Sequence, residues 1–153
     1  KDSKLYSTVV PYYLVQIYFM EKEYQKTIDY AKPLLADSKT KNLDEIKHIV
    51  GQAYFELGNY TESIPFLKNY IDNTRKVSKE ELFQLAFAQY KTNQFKEAIE
   101  NLLPLSVVKD SLGQNAMYLL GNSYLETNNK SMARDAYLTA SSKALILKQA
   151  FTK

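Results

Sequence analysis

The residues that could do chemistry in this chain are few. His48 is the only histidine and there is no cysteine, so neither a Cys–His nucleophile pair nor a Cys/His metal cluster can be assembled. The carboxylate pairs Glu21/Glu23 and Glu80/Glu81 are spaced for the ends of helices, where solvation and the helix dipole explain them. There is no glycine-rich phosphate loop and no nucleophile-elbow pattern. His48 reads as a surface or groove imidazole. The residue types point away from catalysis, and no cofactor is implied.

What the chain has in quantity is side chains for holding another molecule: 13 Tyr and 7 Phe among 153 residues. Twelve positions stand out: Tyr12, Gln16 and Phe19; His48, Gln52 and Phe55; Phe83, Phe87 and Tyr90; Tyr118, Asn122 and Leu125. Gln16, Gln52 and Asn122 fall at equivalent places in a repeating pattern. An amide can both donate to and accept from an extended peptide backbone, and an aromatic ring supplies large contact area at low entropy cost. Each ring taken singly is as well explained by packing between neighbouring helices. The set as a whole predicts a binding surface, with Glu45 and Glu80 beside it and Lys91 as the nearest base.

These residues need helices to position them. Val50, Ala53, Tyr54 and Leu57 stand at the 0, 3, 4, 7 offsets of an amphipathic helix. Gly58 suits the left-handed residue past a helix end, Asn59 a cap for the next helix, and Ser63, Ile64, Leu67 and Ile71 the inward stripe of a second helix. Gly51 and Ser63 are small where the two helices must cross closely. The landmark of Gly51 recurs at Val15, Ala86 and Gly121, that of Ser63 at Thr27, Ala98 and Ala133, so the period is 35 or 36 residues. The turn residue Gly58 recurs as Lys22, Asn93 and Asn128, and the aromatic opening the second helix as Tyr24, Tyr60 and Phe95, with Lys130 in the last unit.

Four such units resemble the tetratricopeptide repeat family over roughly residues 7 to 142, carried by Gly51, Tyr54, Leu57, Gly58, Tyr60 and Ile64, by Leu85, Ala86, Phe95 and Ala98, and by Leu120, Gly121, Tyr124 and Ala133. The resemblance implies an all-α fold, a right-handed superhelical solenoid of antiparallel helix hairpins, whose first helices line the concave side. The chain departs from the family in having no Trp, with Pro11, Lys47, Leu82 and Met117 at its usual place, and in lacking the repeat-ending proline. Its period also exceeds the family's usual ~34 residues. Pro33, Pro65 and Pro104 fall inside second helices instead, where each should delete a hydrogen bond and bend its helix. The family's best-known groove chemistry is a clamp of Lys, Arg and Asn on the C-terminal carboxylate of chaperone tails. The equivalent places here hold Tyr, His, Phe, Gln and Glu, so no chaperone-tail binding is expected.

The expected repeats are 7–41, 42–77, 78–110 and 111–142, in a single domain over 1–153, with 143–153 as a capping helix or the start of a fifth repeat. Pro11 belongs in the first turn of the first helix, Asn42/Glu45 and Ser78/Glu81 form capping boxes, and 109–113 is a loop. The chain starts at Lys1 and stops before the landmark due 35 residues after Gly121, which reads as a piece of a longer array with sticky ends. End-to-end self-association is therefore expected.

The leading functional reading is a non-enzymatic protein–protein interaction scaffold binding a peptide or partner domain. A structural or regulatory module of a larger bacterial envelope assembly is the alternative, favoured by the Lys/Asn/Tyr/Ile-rich composition and by an Ile-Pro-Phe-Leu motif resembling bacterial envelope repeats. That resemblance tilts localisation toward an extracytoplasmic compartment. An RNA-binding array similar to pentatricopeptide repeats would want a basic groove, whereas net charge is only +3. No apolar run approaches the ~18 residues of a membrane span. No nucleic acid and no membrane insertion are expected.

Overall fold

A computed structural model describes the backbone of residues 2–151 and the side chains of residues 6–144. Eight α-helices and one 3-10 helix follow one another, with no strand among the described residues. They are α1 (Asp2–Met20), α2 (Tyr24–Ala36), α3 (Leu43–Glu56), α4 (Tyr60–Asn73), α5 (Lys79–Lys91), α6 (Phe95–Leu102), the 3-10 helix Leu103–Val107, α7 (Ser111–Glu126) and α8 (Lys130–Phe151). The chain divides into two compact units, Lys1–Thr74 and Arg75–Lys153, each built of two hairpins.

The hairpins form because every first helix ends in the same way. Lys22, Gly58, Asn93 and Asn128 all take positive φ, between 59° and 75°. At each, the residue's own N–H and that of the next residue fold back onto the helix. Gly58 donates to the Phe55 carbonyl and Asn59 to that of Tyr54. The same pair recurs at Lys22/Glu23, Asn93/Gln94 and Asn128/Asn129. This is the Schellman closure, which satisfies carbonyls the helix would otherwise leave bare. Backbone hydrogen bonds make the turn, so Gly, Asn and Lys all serve there.

The predicted close crossings are present. Val15, Gly51, Ala86 and Gly121 are buried, and so are their partners Thr27, Ser63, Ala98 and Ala133. Ser63 Oγ donates to the Gly51 carbonyl at 2.7 Å, tying α4 to α3. A Cβ on Gly51 would stand 2.6 Å from Phe66 Cβ, and one on Gly121 2.5 Å from Tyr137 Cε1. Two cores result. One contains Val15, Ile28, Ala31, Ile46, Val50 and Ala53; the other includes Ala98, Leu102, Leu105, Met117, Leu120 and Tyr124.

Several local expectations are corrected. Pro11 lies in the middle of α1, which begins nine residues earlier, rather than in its first turn. Asn42 sits in the left-handed region (φ 56°) and its side chain caps nothing, so the Asn42/Glu45 box does not form. Asn59 likewise makes no side-chain cap. The Ser78/Glu81 box does form, in both directions. The supposed loop 109–113 is already helix from Ser111, because Asp110 accepts from the N–H groups of Leu112 and Gly113. Gly113 belongs to that first turn for a steric reason: a Cβ there would be 2.0 Å from the Val108 carbonyl oxygen. Pro33 and Pro65 lie inside α2 and α4, which continue as α-helix, whereas Pro104 coincides with the change from α6 to a 3-10 helix. Beyond Ser142 the backbone of α8 runs on to Phe151 without a break; the side chains of residues 145–153 lie outside those described.

Candidate partner-binding cleft

The second unit holds an open cleft of about 470 Å³ between α5 and α7. Phe83, Phe87, Tyr90 and Lys91 form one wall; Asn115, Tyr118, Leu119 and Asn122 form the other. These are i, i+4, i+7, i+8 and i, i+3, i+4, i+7 rows, so each wall is one face of one helix. Both helices are the first of their hairpins. The size falls in the range of clefts that hold a small ligand or a few side chains, about 300–1,000 Å³.

Five of the twelve expected residues meet here: Phe83, Phe87, Tyr90, Tyr118 and Asn122. The rings are set by what lies behind them. Phe83 and Phe87 are 6.1 Å apart, Tyr90 meets Phe95 edge-on at 5.7 Å, and Tyr118 lies 5.8 Å from Tyr137 of α8. Tyr118 remains 59% exposed, an unusually open position for a ring on a helical wall. The Tyr137 hydroxyl donates to Asn122 Oδ1 at 2.6 Å. Burial, reinforced by Tyr118 and Tyr90, pushes the Tyr137 phenol above its usual value, so it stays protonated and remains a donor. Below the floor, Asn101 Nδ2 donates to Oε1 of the buried Gln89, stitching α6 to α5.

The sequence pattern missed Asn115 and Leu119 as wall residues. Both were findable, since Asn115 precedes Tyr118 by one turn and Leu119 precedes Asn122 by one turn. Leu125 is exposed but lies outside this cleft.

In the first unit five of the other six residues are engaged with near neighbours. Gln16 Nε2 donates to the Tyr12 hydroxyl at 2.7 Å. Phe19 packs on Tyr24 and Phe55 on Tyr60, both at 5.4 Å. His48 stacks flat on Tyr70 of α4, with ring centroids 3.6 Å apart and planes within 3°. Gln52 is half-buried. Of the three equivalent amides, Gln16 and Asn122 are each bonded to a tyrosine hydroxyl. Glu45 lines a separate small cleft with Asp44, Asn69, Tyr70, Asn73 and Thr74.

Among the described residues no group of three or more His, Asp or Glu side chains could hold a metal ion, and no helix is long and apolar enough to cross a membrane.

Stacked helical hairpins with recurrent small-residue crossings define a helical repeat protein. Two tetratricopeptide repeat family models match the chain, over residues 44–76 and 115–142. The chain thus carries tetratricopeptide repeats at these two places. No curated protein matches it. Repeats of this kind are in general modules that bind other proteins or peptides, and are in general non-enzymatic.

Proposed function

We propose that this chain is a non-catalytic scaffold that binds an extended segment of another protein in the cleft between α5 and α7. One observation carries the reading. Four aromatic residues and two amides from the first helices of neighbouring hairpins line an open cleft, and one ring is more than half exposed. Aromatic rings in a concave site supply most of the contact energy when a partner covers them. The amides and hydroxyls orient a backbone without demanding a particular sequence.

The test is an affinity pull-down from lysate of the cells that make the protein, run beside a Phe87→Ala/Tyr118→Ala double variant whose folding is checked by circular dichroism. A partner protein held by the unaltered chain and lost by the variant is the expected result. Equal retention by both chains, or retention of nucleic acid alone, would overturn the reading.

A further inference from the structure

The charge of the cleft specifies its occupant further. Lys91 is the only Lys, Arg, His, Asp or Glu among the eight wall residues. Its ammonium sits 5.5 Å from the centroid of the Phe87 ring, a cation–π contact that holds the charge against the aromatic wall. The surface lysines Lys26, Lys32, Lys47, Lys68 and Lys79 each lie within 4 Å of a carboxylate, and Lys91 forms no such pair with any described residue. The amide chemistry has the same sign. Tyr137 engages Asn122 Oδ1, which leaves that residue both Nδ2 hydrogens. The cleft thus offers donors and a positive charge to whatever enters. Glu126 lines an adjoining hollow together with Tyr90 and Lys91, outside the cleft itself.

We infer that the cleft takes an extended peptide segment that seats an apolar side chain between the Phe87 and Tyr118 rings and places an Asp or Glu side chain, one or two residues away, on Lys91. This rests on the cleft being the partner-binding surface. The carboxylate is one on a side chain, because a single lysine in the last turn of α5 replaces the several bases that a chain-terminal carboxylate clamp uses.

The experiment is selection of phage-displayed random dodecapeptides on the intact chain, followed by affinities of the enriched peptides by calorimetry. The expected consensus is an apolar residue beside Asp or Glu. Exchanging that acid for its amide should weaken binding about fivefold at low salt, the scale of one partly exposed ion pair. Lys91→Glu should invert the preference toward Lys or Arg, and Glu126→Gln should tighten acidic peptides. Amidating the peptide C-terminus should change nothing. Peptides that need Tyr118, shown by loss with Tyr118→Ala, but carry no acid preference or ignore Lys91→Glu, would overturn the inference and leave the proposed function standing. So would dependence on a free C-terminus. Peptides indifferent to both Tyr118→Ala and Lys91→Glu, or no enrichment at all, would overturn the cleft as a binding surface and the inference with it.

Discussion

The two units use one repeat plan and treat its first-helix side chains differently. In the first unit Gln16 is bound by Tyr12 and His48 lies flat on Tyr70. In the second unit the corresponding row keeps Tyr118 exposed and leaves space between α5 and α7. The helix crossings differ too. At Gly51 the close neighbour is Phe66 Cβ, fixed to its backbone; at Gly121 it is the edge of the Tyr137 ring, which turns about its own side-chain bonds. A crossing set by backbone gives rigidity, whereas one set by a ring leaves a movable element behind the cleft.

Substitutions at the glycines probe that difference most strongly. Gly113→Ala should be the most damaging, because the new methyl meets a main-chain oxygen that no side-chain rotation can move. We expect loss of about 3 kcal/mol or more in urea unfolding, at the upper end of overpacking costs. Gly51→Ala should cost about 1–3 kcal/mol. Gly121→Ala should cost less, since the ring can swing aside at the expense of its hydrogen bond to Asn122. Equal losses at 51 and 121 would break the comparison. Next comes Ser63→Ala, which deletes one buried hydrogen bond and should cost about 1 kcal/mol by the same assay.

Acid unfolding sharpens the picture of the second unit. Lys79, then the Gly113 N–H, hold the Asp110 carboxyl below its usual range. A lowered folded value means the stabilisation is fully present above the unfolded carboxylate range and fades as pH falls through the folded one. Asp110→Asn should therefore flatten the acid limb of the stability–pH curve and, because Asp110 also holds the Lys79 ammonium above its usual range, flatten the far-alkaline limb where that lysine loses its proton. The smallest effect is expected at Asn93→Gly. That residue already sits at φ 61°, which glycine adopts freely, so its unfolding midpoint should shift by no more than about 0.5 kcal/mol in either direction.

The repeat plan was legible because it rests on residue size and spacing. The small landmarks mark each crossing, and Gly58, Asn93 and Asn128 mark the left-handed turns. Lys22 does the same work with no propensity for it, and only its alignment with the others revealed the turn. Where the sequence misled, two local signals competed. Asn42 can cap a helix or adopt the left-handed conformation, and it does the second. Gly113 reads as a breaker, yet the helix needs it there to clear Val108. For the cleft, periodicity gave the direction of each side chain and nothing about which neighbour would take it up. Tyr90 and Phe55 come from the same repeat position, and the lining of the cleft includes only Tyr90.

Lys143 carries a consequence of another kind. Its ammonium reaches from α8 to the Val108 carbonyl at 2.6 Å, and the residue is only 8% exposed. Trypsin must take a lysine side chain into its specificity pocket before it cuts, so the bond after Lys143 is closed to it while that contact holds. The rate of cleavage there becomes a clock for the detachment of α8. With protease slow relative to reclosing, it reads the equilibrium population of the opened helix.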